Sequence, residues 1–271
     1  MESLQLPDKF EIKKISEFQS YITIEPCYPG YGSTLGNALR RVLLSSLPGS
    51  AITALRIKEA DHEFSSIPGV KEDVVQIILN LKKIRFKTLT DDEIKGNIKI
   101  KGEKIVKAQD IKLTSGAEVV NKEVIIANLT EKNSELDIEL TISKGRGYLP
   151  VENIEKKKLA LGTIAVDAVF TPVKNVNFNV ENVRVGQMTN YDKLILNITT
   201  DGTINPVDAI KNAAELLNNH FNQIMKFGVS KNEALLEIKS TEIKKSDSIK
   251  SGEEVEIQKP KKKRGRPKKE S

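Results

Sequence analysis

GYGSTLGNALRRVLLSSLPG, residues 30–49, decides the fold. Leu35, Ala38, Leu39, Val42 and Leu43 recur at i, i+3, i+4, i+7 and i+8, the apolar stripe of an amphipathic helix. Ser33 or Thr34 is expected to cap its start, and Pro48-Gly49 to end it. The opposite face carries Asn37, Arg41, Leu44 and Ser45. One reading is a solvated arginine face. The other is a mixed patch suited to a protein partner, because arginine is enriched at interfaces. The glycines ahead of the helix invite a phosphate-loop reading. Their spacing is not GxGxxG and no GK[ST] follows, so they are read as turn-setting residues.

Strands lie on both sides of this helix. FEIKKI (10–15) and YITIEP (21–26) alternate with period two. Beyond residue 50, AITALRIK, IRFKTL, IKGNIKIK, EVIIANL, ELDIELTI and TIAVDAVF all have strand character. VKEDVVQIILNLKK interrupts them as a second helix, with Val70, Val74, Ile77, Ile78 and Leu81 on one face and acids in its first turn. VKNVNFNVENVRV and KLILNITT are two further strands. DGTINPVDAIKNAAELLNNHFNQIMKFG then reads as the last helix, with Asn205 as cap, Pro206 at the first helical position and Gly228 at the close. Its stripe runs Ile210, Ala213, Leu217, Phe221, Ile224, widened by Leu216 and Met225. Neither end helix can hide its stripe alone, so each is expected to pack on the other, on a sheet or on a second copy of the chain. The fold class is α+β.

The formal net charge of +6 conceals two modules. Residues 1–258 hold 35 Lys/Arg against 36 Asp/Glu, whereas residues 259–271 hold 8 against 1. Cys27 is the single cysteine, which excludes a disulfide framework and a thiolate metal cluster. The start, MESLQLPDKF, has no apolar core of a signal peptide, and no apolar run reaches the roughly 18 residues of a membrane span. A cytoplasmic location, or the plastid stroma for an organelle-encoded chain, is expected. His62, in a strand-like stretch, and His220, beside the last stripe, read as structural or surface residues, and Asp91-Asp92 and Glu253-Glu254 as solvated pairs. No HExxH or CxxC spacing and no nucleophile–base arrangement is present, so no cofactor, metal ligand or catalytic residue is expected in this chain.

YGSTLGNALRRVLLSSLPGSAI, followed by HEFSSIPGVKEDVVQIILNLK, closely resembles the bacterial and plastid RNA polymerase alpha subunit family in its N-terminal region. GRGYLP (145–150), IAVDAVFTPVKNVNFNVENVRV (164–185) and KLILNITTDGTINPVDAIKNAA (193–214) extend the resemblance over roughly residues 5–228. The resemblance implies two domains. One is a discontinuous dimerisation domain, 1–48 plus 173–230. The other is an inserted, mainly β domain, 49–172. It further implies a homodimer that serves as platform for the beta and beta-prime subunits, which carry the catalysis and its Mg²⁺. By match, Leu35, Leu39, Val42 and Leu43 join Leu217, Phe221 and Ile224 in the dimer core. Asn37, Arg41 and Leu44, with the segment from Val173 to Val185, are implied to face the large subunits.

The family pattern continues through a linker into a compact C-terminal domain that binds A/T-rich upstream promoter DNA and contacts activators. Here residues 231–258 read as a flexible linker, about 30 Å in root-mean-square span. QKPKKKRGRPKKES follows, with the basic tail at 259–271. Three readings of the tail compete: a solvated charge run, a nuclear import signal and an AT-hook-like DNA-binding peptide. The Arg-Gly-Arg-Pro order favours the third. Gly265 lets a narrow backbone sit in the minor groove, and Arg264 and Arg266 point along it, where a narrow A/T groove has enhanced negative potential. Pro267 keeps the chain extended, and lysines such as Lys263 and Lys268 pair with phosphates. The tail is expected to substitute for the C-terminal domain by gripping promoter DNA. A different class of function, a free-standing dimeric DNA-architectural protein, is separated from the polymerase role by whether beta and beta-prime co-purify with the chain.

Overall fold

The computed structural model describes residues 5–60, 62–114, 116–155, 160 and 162–227. It mixes helices with two main sheets. The first sheet takes its strands from both ends of the sequence: β1 (Lys9–Ser16), β2 (Gln19–Cys27), β14 (Val173–Val185) and β15 (Met188–Thr200), in the order β1-β2-β15-β14 and antiparallel throughout. The second sheet comes from the middle of the chain. Its order is β7 (Lys112–Leu113), β5 (Ile94–Lys101), β10 (Glu135–Arg146), β3 (Pro48–Ile57), β4 (Phe86–Thr88), β8 (Ala117–Val119), with β12 (Ile164–Ala165) also paired to β3. The pairs β6 (Lys104–Lys107) with β9 (Ile125–Leu129) and β11 (Tyr148–Leu149) with β13 (Ala168–Val169) complete the strands.

Each main sheet has its own apolar core. On the first, the alternation of KLILNITT puts Leu194, Leu196 and Ile198 inward, all fully buried. Helix α1 (Tyr31–Ser45) covers them with Leu39 and Leu43, and α4 (Pro206–Met225) contributes Ala209 and Ala213. Around the second sheet, Leu55, Ile98, Leu136, Ile138, Leu140 and Ile142 pack with Val74, Ile77 and Leu81 of α2 (Val74–Leu81). The period-two and period-3.6 patterns place the correct faces inward in both cores. A short helix α3 (Val151–Glu155) lies between β11 and β12. The chain divides into two compact units, Met1–Asn219 and His220–Ser271, so the boundary falls inside α4.

Several local expectations change. α2 begins at Val74, not at Val70: Asp73 caps it, accepting from the Gln76 N–H at 2.7 Å, and Val70 instead bridges to Leu129. The neighbouring acid Glu72 is drawn off by Asn128, accepting from its backbone N–H (2.7 Å) and side-chain amide (2.6 Å). His62 lies outside the strands, and its Nδ1 sits 3.2 Å from the Ser65 hydroxyl. Asn205 caps α4 as expected, accepting from the Val207 N–H at 3.0 Å. Gly228, Glu253-Glu254, the linker and the basic tail lie outside the described residues.

α1 closes at Ser45, with Ser46 as its C-cap, so Pro48-Gly49 lies past its end and opens β3. A Cβ on Gly49 would lie 1.8 Å from the Phe170 carbonyl oxygen, a contact no rotamer relieves because the Cβ position is fixed by its own backbone and the oxygen is backbone. Gly49→Ala is therefore expected to cost about 2 kcal/mol or more, the range of core overpacking, read as a fall of several degrees in Tm. An unchanged Tm would show that β3 and the backbone at Phe170 separate freely.

Candidate functional site

α1 is the element on which the candidate surfaces converge. It starts two residues ahead of its Ser33, and its N-cap position is Gly30, whose φ of 84° lies in the left-handed region that glycine tolerates. Ser33 and Thr34 do not cap it. Their hydroxyls donate back to the Gly30 carbonyl at 3.1 and 3.2 Å. The capping acceptor comes from β15: Asp192 Oδ2 accepts from the Gly30 N–H and the Gly32 N–H, both at 2.9 Å. Asp192 is 7% exposed, and the positive end of the helix dipole with two backbone donors offsets its burial. Beside it, burial pushes the thiol of Cys27 up from its ordinary value, and the Asp192 carboxylate adds to the rise.

Gly32 and Gly36 let α1 settle close to the sheet. A Cβ at Gly36 would meet Phe178 at 2.6 Å and Leu194 at 2.9 Å. This close seating decides what α1 has left to offer. Leu39 and Leu43 are buried within the single chain, so their side chains belong to its own core rather than to a surface. Leu35 and Val42 are half-buried along one flank. Asn37 and Arg41 are exposed and Leu44 is half-buried on the far side. Among the described residues the Arg41 guanidinium has no hydrogen-bond or salt-bridge partner.

The α4 stripe behaves differently along its length. Ala209 and Ala213 are buried, Leu217 is half-buried, and Phe221, Ile224 and Met225 are 57%, 65% and 70% exposed. A second unpartnered apolar surface was missed in the sequence. The register of the first sheet aligns Phe178, Leu196, Ile22 and Ile12 in one cross-strand row, and Val180, Leu194, Ile24 and Phe10 in the next. Both rows are buried at their centre, but Ile12 and Phe10 on the edge strand β1 are 49% and 64% exposed. The alternation in FEIKKI was the available signal; the exposure of Phe10 and Ile12 on the edge strand was not legible there.

β14 forms the other edge of this sheet. Val173 and Val176 turn into the core, so Val173 presents no surface, while Val185 is half-buried. The exposed side chains of the strand are Lys174, Asn175, Asn177, Asn179, Glu181, Asn182 and Arg184.

An open cleft of about 1070 Å³ on the second sheet is lined by residues that include Arg56, Lys95, Glu139, Lys144 and Arg146. Two of its charges already pair with each other, Lys144 Nζ with Asp91 Oδ1 at 2.5 Å, which holds the Asp91 carboxyl below the ordinary carboxylate range. Among the described residues no three His, Cys, Asp or Glu side chains gather as a metal site, and no helix is long and apolar enough to cross a membrane.

The sequence pattern of the RNA polymerase Rpb3/RpoA insert domain matches residues 55–171, the segment that builds the second core. The DNA-directed RNA polymerase subunit alpha of Cytophaga hutchinsonii is 51% identical over 221 residues, spanning 81% of this chain and 67% of that protein. The chain belongs to the RNA polymerase alpha subunit family. Its counterpart in Flavobacterium psychrophilum is 50% identical over 81% of this chain and 67% of that protein, and the one in Alkaliphilus oremlandii 43% identical over 88% and 75%. The family's inserted β-rich domain is thus present here, between the two halves of the first sheet.

Proposed function

We infer that this chain is a non-catalytic assembly subunit of a DNA-directed RNA polymerase, a nucleotidyltransferase: it homodimerises and forms the platform on which the beta and beta-prime subunits assemble. Its working parts are a dimerisation domain of residues 1–48 plus 173–230 and an inserted domain of 49–172. Catalytic residues and Mg²⁺ belong to the large subunits, and the complex works in the cytoplasm or, for an organelle-encoded chain, in the plastid stroma.

The observation that carries this reading is the pair of bare apolar surfaces. One is the α4 stripe of Phe221, Ile224 and Met225. The other is the uncovered edge of the first sheet at Phe10 and Ile12. Surfaces of this kind on one chain suit an isologous contact, in which the same patches meet on both copies. Leu35, Val42 and Leu217 supply the flanks of that interface, while Leu39 and Leu43 support it from within. The solvent side of α1, with Asn37, Arg41 and Leu44, and the exposed residues of β14 remain for the large subunits. β14 suits such contact because its residues 175–180 carry no charge, whereas the opposite edge, β1, is guarded by Lys9, Glu11, Lys13 and Lys14.

The tail, Lys263, Arg264, Gly265, Arg266, Pro267 and Lys268 at its centre, is proposed to enter the minor groove of A/T-rich promoter DNA. Support comes from the order of its residues and from the separation of its charge from the near-neutral remainder. Two tails per dimer would act with avidity. The full chain is expected to bind A/T-rich duplex more tightly than G/C-rich duplex, roughly tenfold at low salt, and a chain ending at Gln258 to lose that preference. The measurement is a titration of both labelled duplexes across a salt series. Equal binding of both duplexes, vanishing at modest salt, would reduce the tail to a charged end.

A further inference from the structure

Asp192 does two jobs that are ordinarily split between neighbouring residues. In a capping box, the N-cap side chain accepts from a backbone N–H of the first turn, and an acid at the third position accepts from the N-cap N–H. Here one oxygen, Asp192 Oδ2, takes both the N-cap donor Gly30 and the first-turn donor Gly32, at 2.9 Å each. It does so from a strand 160 residues away along the chain.

The surrounding geometry is built for this reach. Asp192 pairs with Cys27 and Leu194 with Ile24, so β2 holds one residue more than β15 over this interval. Such an irregularity re-aims the end of a strand. The space is made by Gly32, where a Cβ would lie 2.8 Å from the Asp192 Cβ and 2.9 Å from Oδ2. A second, independent contact clamps the same turn: the ring of Tyr191 meets Tyr28 edge-on at 6.0 Å, and Tyr28 meets Tyr31 likewise at 5.9 Å. The Tyr31 N–H closes the turn on the Tyr28 carbonyl at 2.9 Å.

We propose that Asp192 is a positioning residue, locking the first turn of α1 to β15 and so setting the pose of the α1 face that carries Asn37 and Arg41. The proposal rests on the reading of that face as a large-subunit contact. α1 has no side-chain cap of its own, so without Asp192 the donors at Gly30 and Gly32 are left to water and the turn frays. Fraying at this end removes one of the two anchors, beside the Gly36 seat on Phe178 and Leu194, of a helix whose docking residues lie only one to three turns farther along.

The test compares the full-length wild type with Asp192→Ala and Asp192→Asn, by amide-resolved hydrogen exchange and by capture of purified beta subunit. Asp192→Ala is expected to speed exchange at the Gly30 and Gly32 amides roughly tenfold or more while β2 and β15 keep wild-type protection. Asp192→Asn retains a carbonyl oxygen able to accept both bonds, so it is expected to fold and to restore most of the protection. Capture of beta should fall in the same order, Ala below Asn below wild type. Unchanged exchange at Gly30 and Gly32 in both variants overturns the proposal. Exchange raised equally across β2 and β15 also overturns it, since that marks a general structural role. Local fraying with full capture overturns it as well if Arg41→Ala does lose capture. Should Arg41→Ala capture normally too, it is the docking reading of α1 that fails.

Discussion

Arg41→Ala is expected to leave the homodimer intact and to weaken capture of the beta subunit by about thirtyfold, the roughly 2 kcal/mol typical of an interface anchor. Arg41 projects from the solvent side of α1, opposite Leu39 and Leu43, so its truncation removes nothing from the protomer core. It has no competing partner among the described residues, which leaves all five guanidinium donors for another chain. α1 is also well backed. Its buried side packs through Gly36 against Phe178 and Leu194 with no room for an added methyl group, so the arginine is presented from a rigid base. Lysine should rescue only partly, because it offers a point charge rather than a planar fork. Surface-immobilised beta titrated with wild type and variant gives the comparison. Equal affinities would remove Arg41 from the large-subunit interface.

Phe221→Glu combined with Ile224→Glu is expected to convert the dimer to monomer at micromolar concentration. The two positions are 57% and 65% exposed in the single chain, so the change does not strike the core. In a dimer each would bury a large apolar side chain worth roughly 1.5–3 kcal/mol, and the substituted carboxylates would add a desolvation penalty. Lys211→Ala with Glu215→Ala, on exposed positions of the same helix, serves as control and should leave the dimer unchanged. Sedimentation measurements with intact far-ultraviolet circular dichroism separate lost association from lost folding. A double glutamate variant that stays dimeric would exclude the α4 stripe from the interface.

The regular elements were legible because their periods are local. KLILNITT announces its inward leucines, and Asn205-Pro206 announces the start of α4 within two residues. What escaped the sequence depends on distant partners. Ser33 and Thr34 look like caps, yet the acceptor is Asp192, brought in by sheet pairing that no local window contains. Gly32 and Gly36 look like flexible spacers, but they are places where a strand side chain leaves no room for a Cβ. The α1 stripe was readable as apolar, but not its division into core residues, Leu39 and Leu43, and flank residues, Leu35 and Val42. That division depends on how deeply the helix sits on the sheet. Val173 carries the same lesson: its segment is exposed as an edge strand, while its own side chain turns inward. The α2 start moved from Val70 to Val74 because a bridge to Leu129 competes with the first helical turn.

The most direct test of the platform role is stoichiometry. The purified full chain is mixed with its own beta subunit, then with beta-prime, and the mass of each eluting complex is measured by light scattering. A dimer of this chain that takes up one beta and then one beta-prime is the expected result. A chain that remains monomeric, or a dimer that passes both large subunits without binding either, would contradict it.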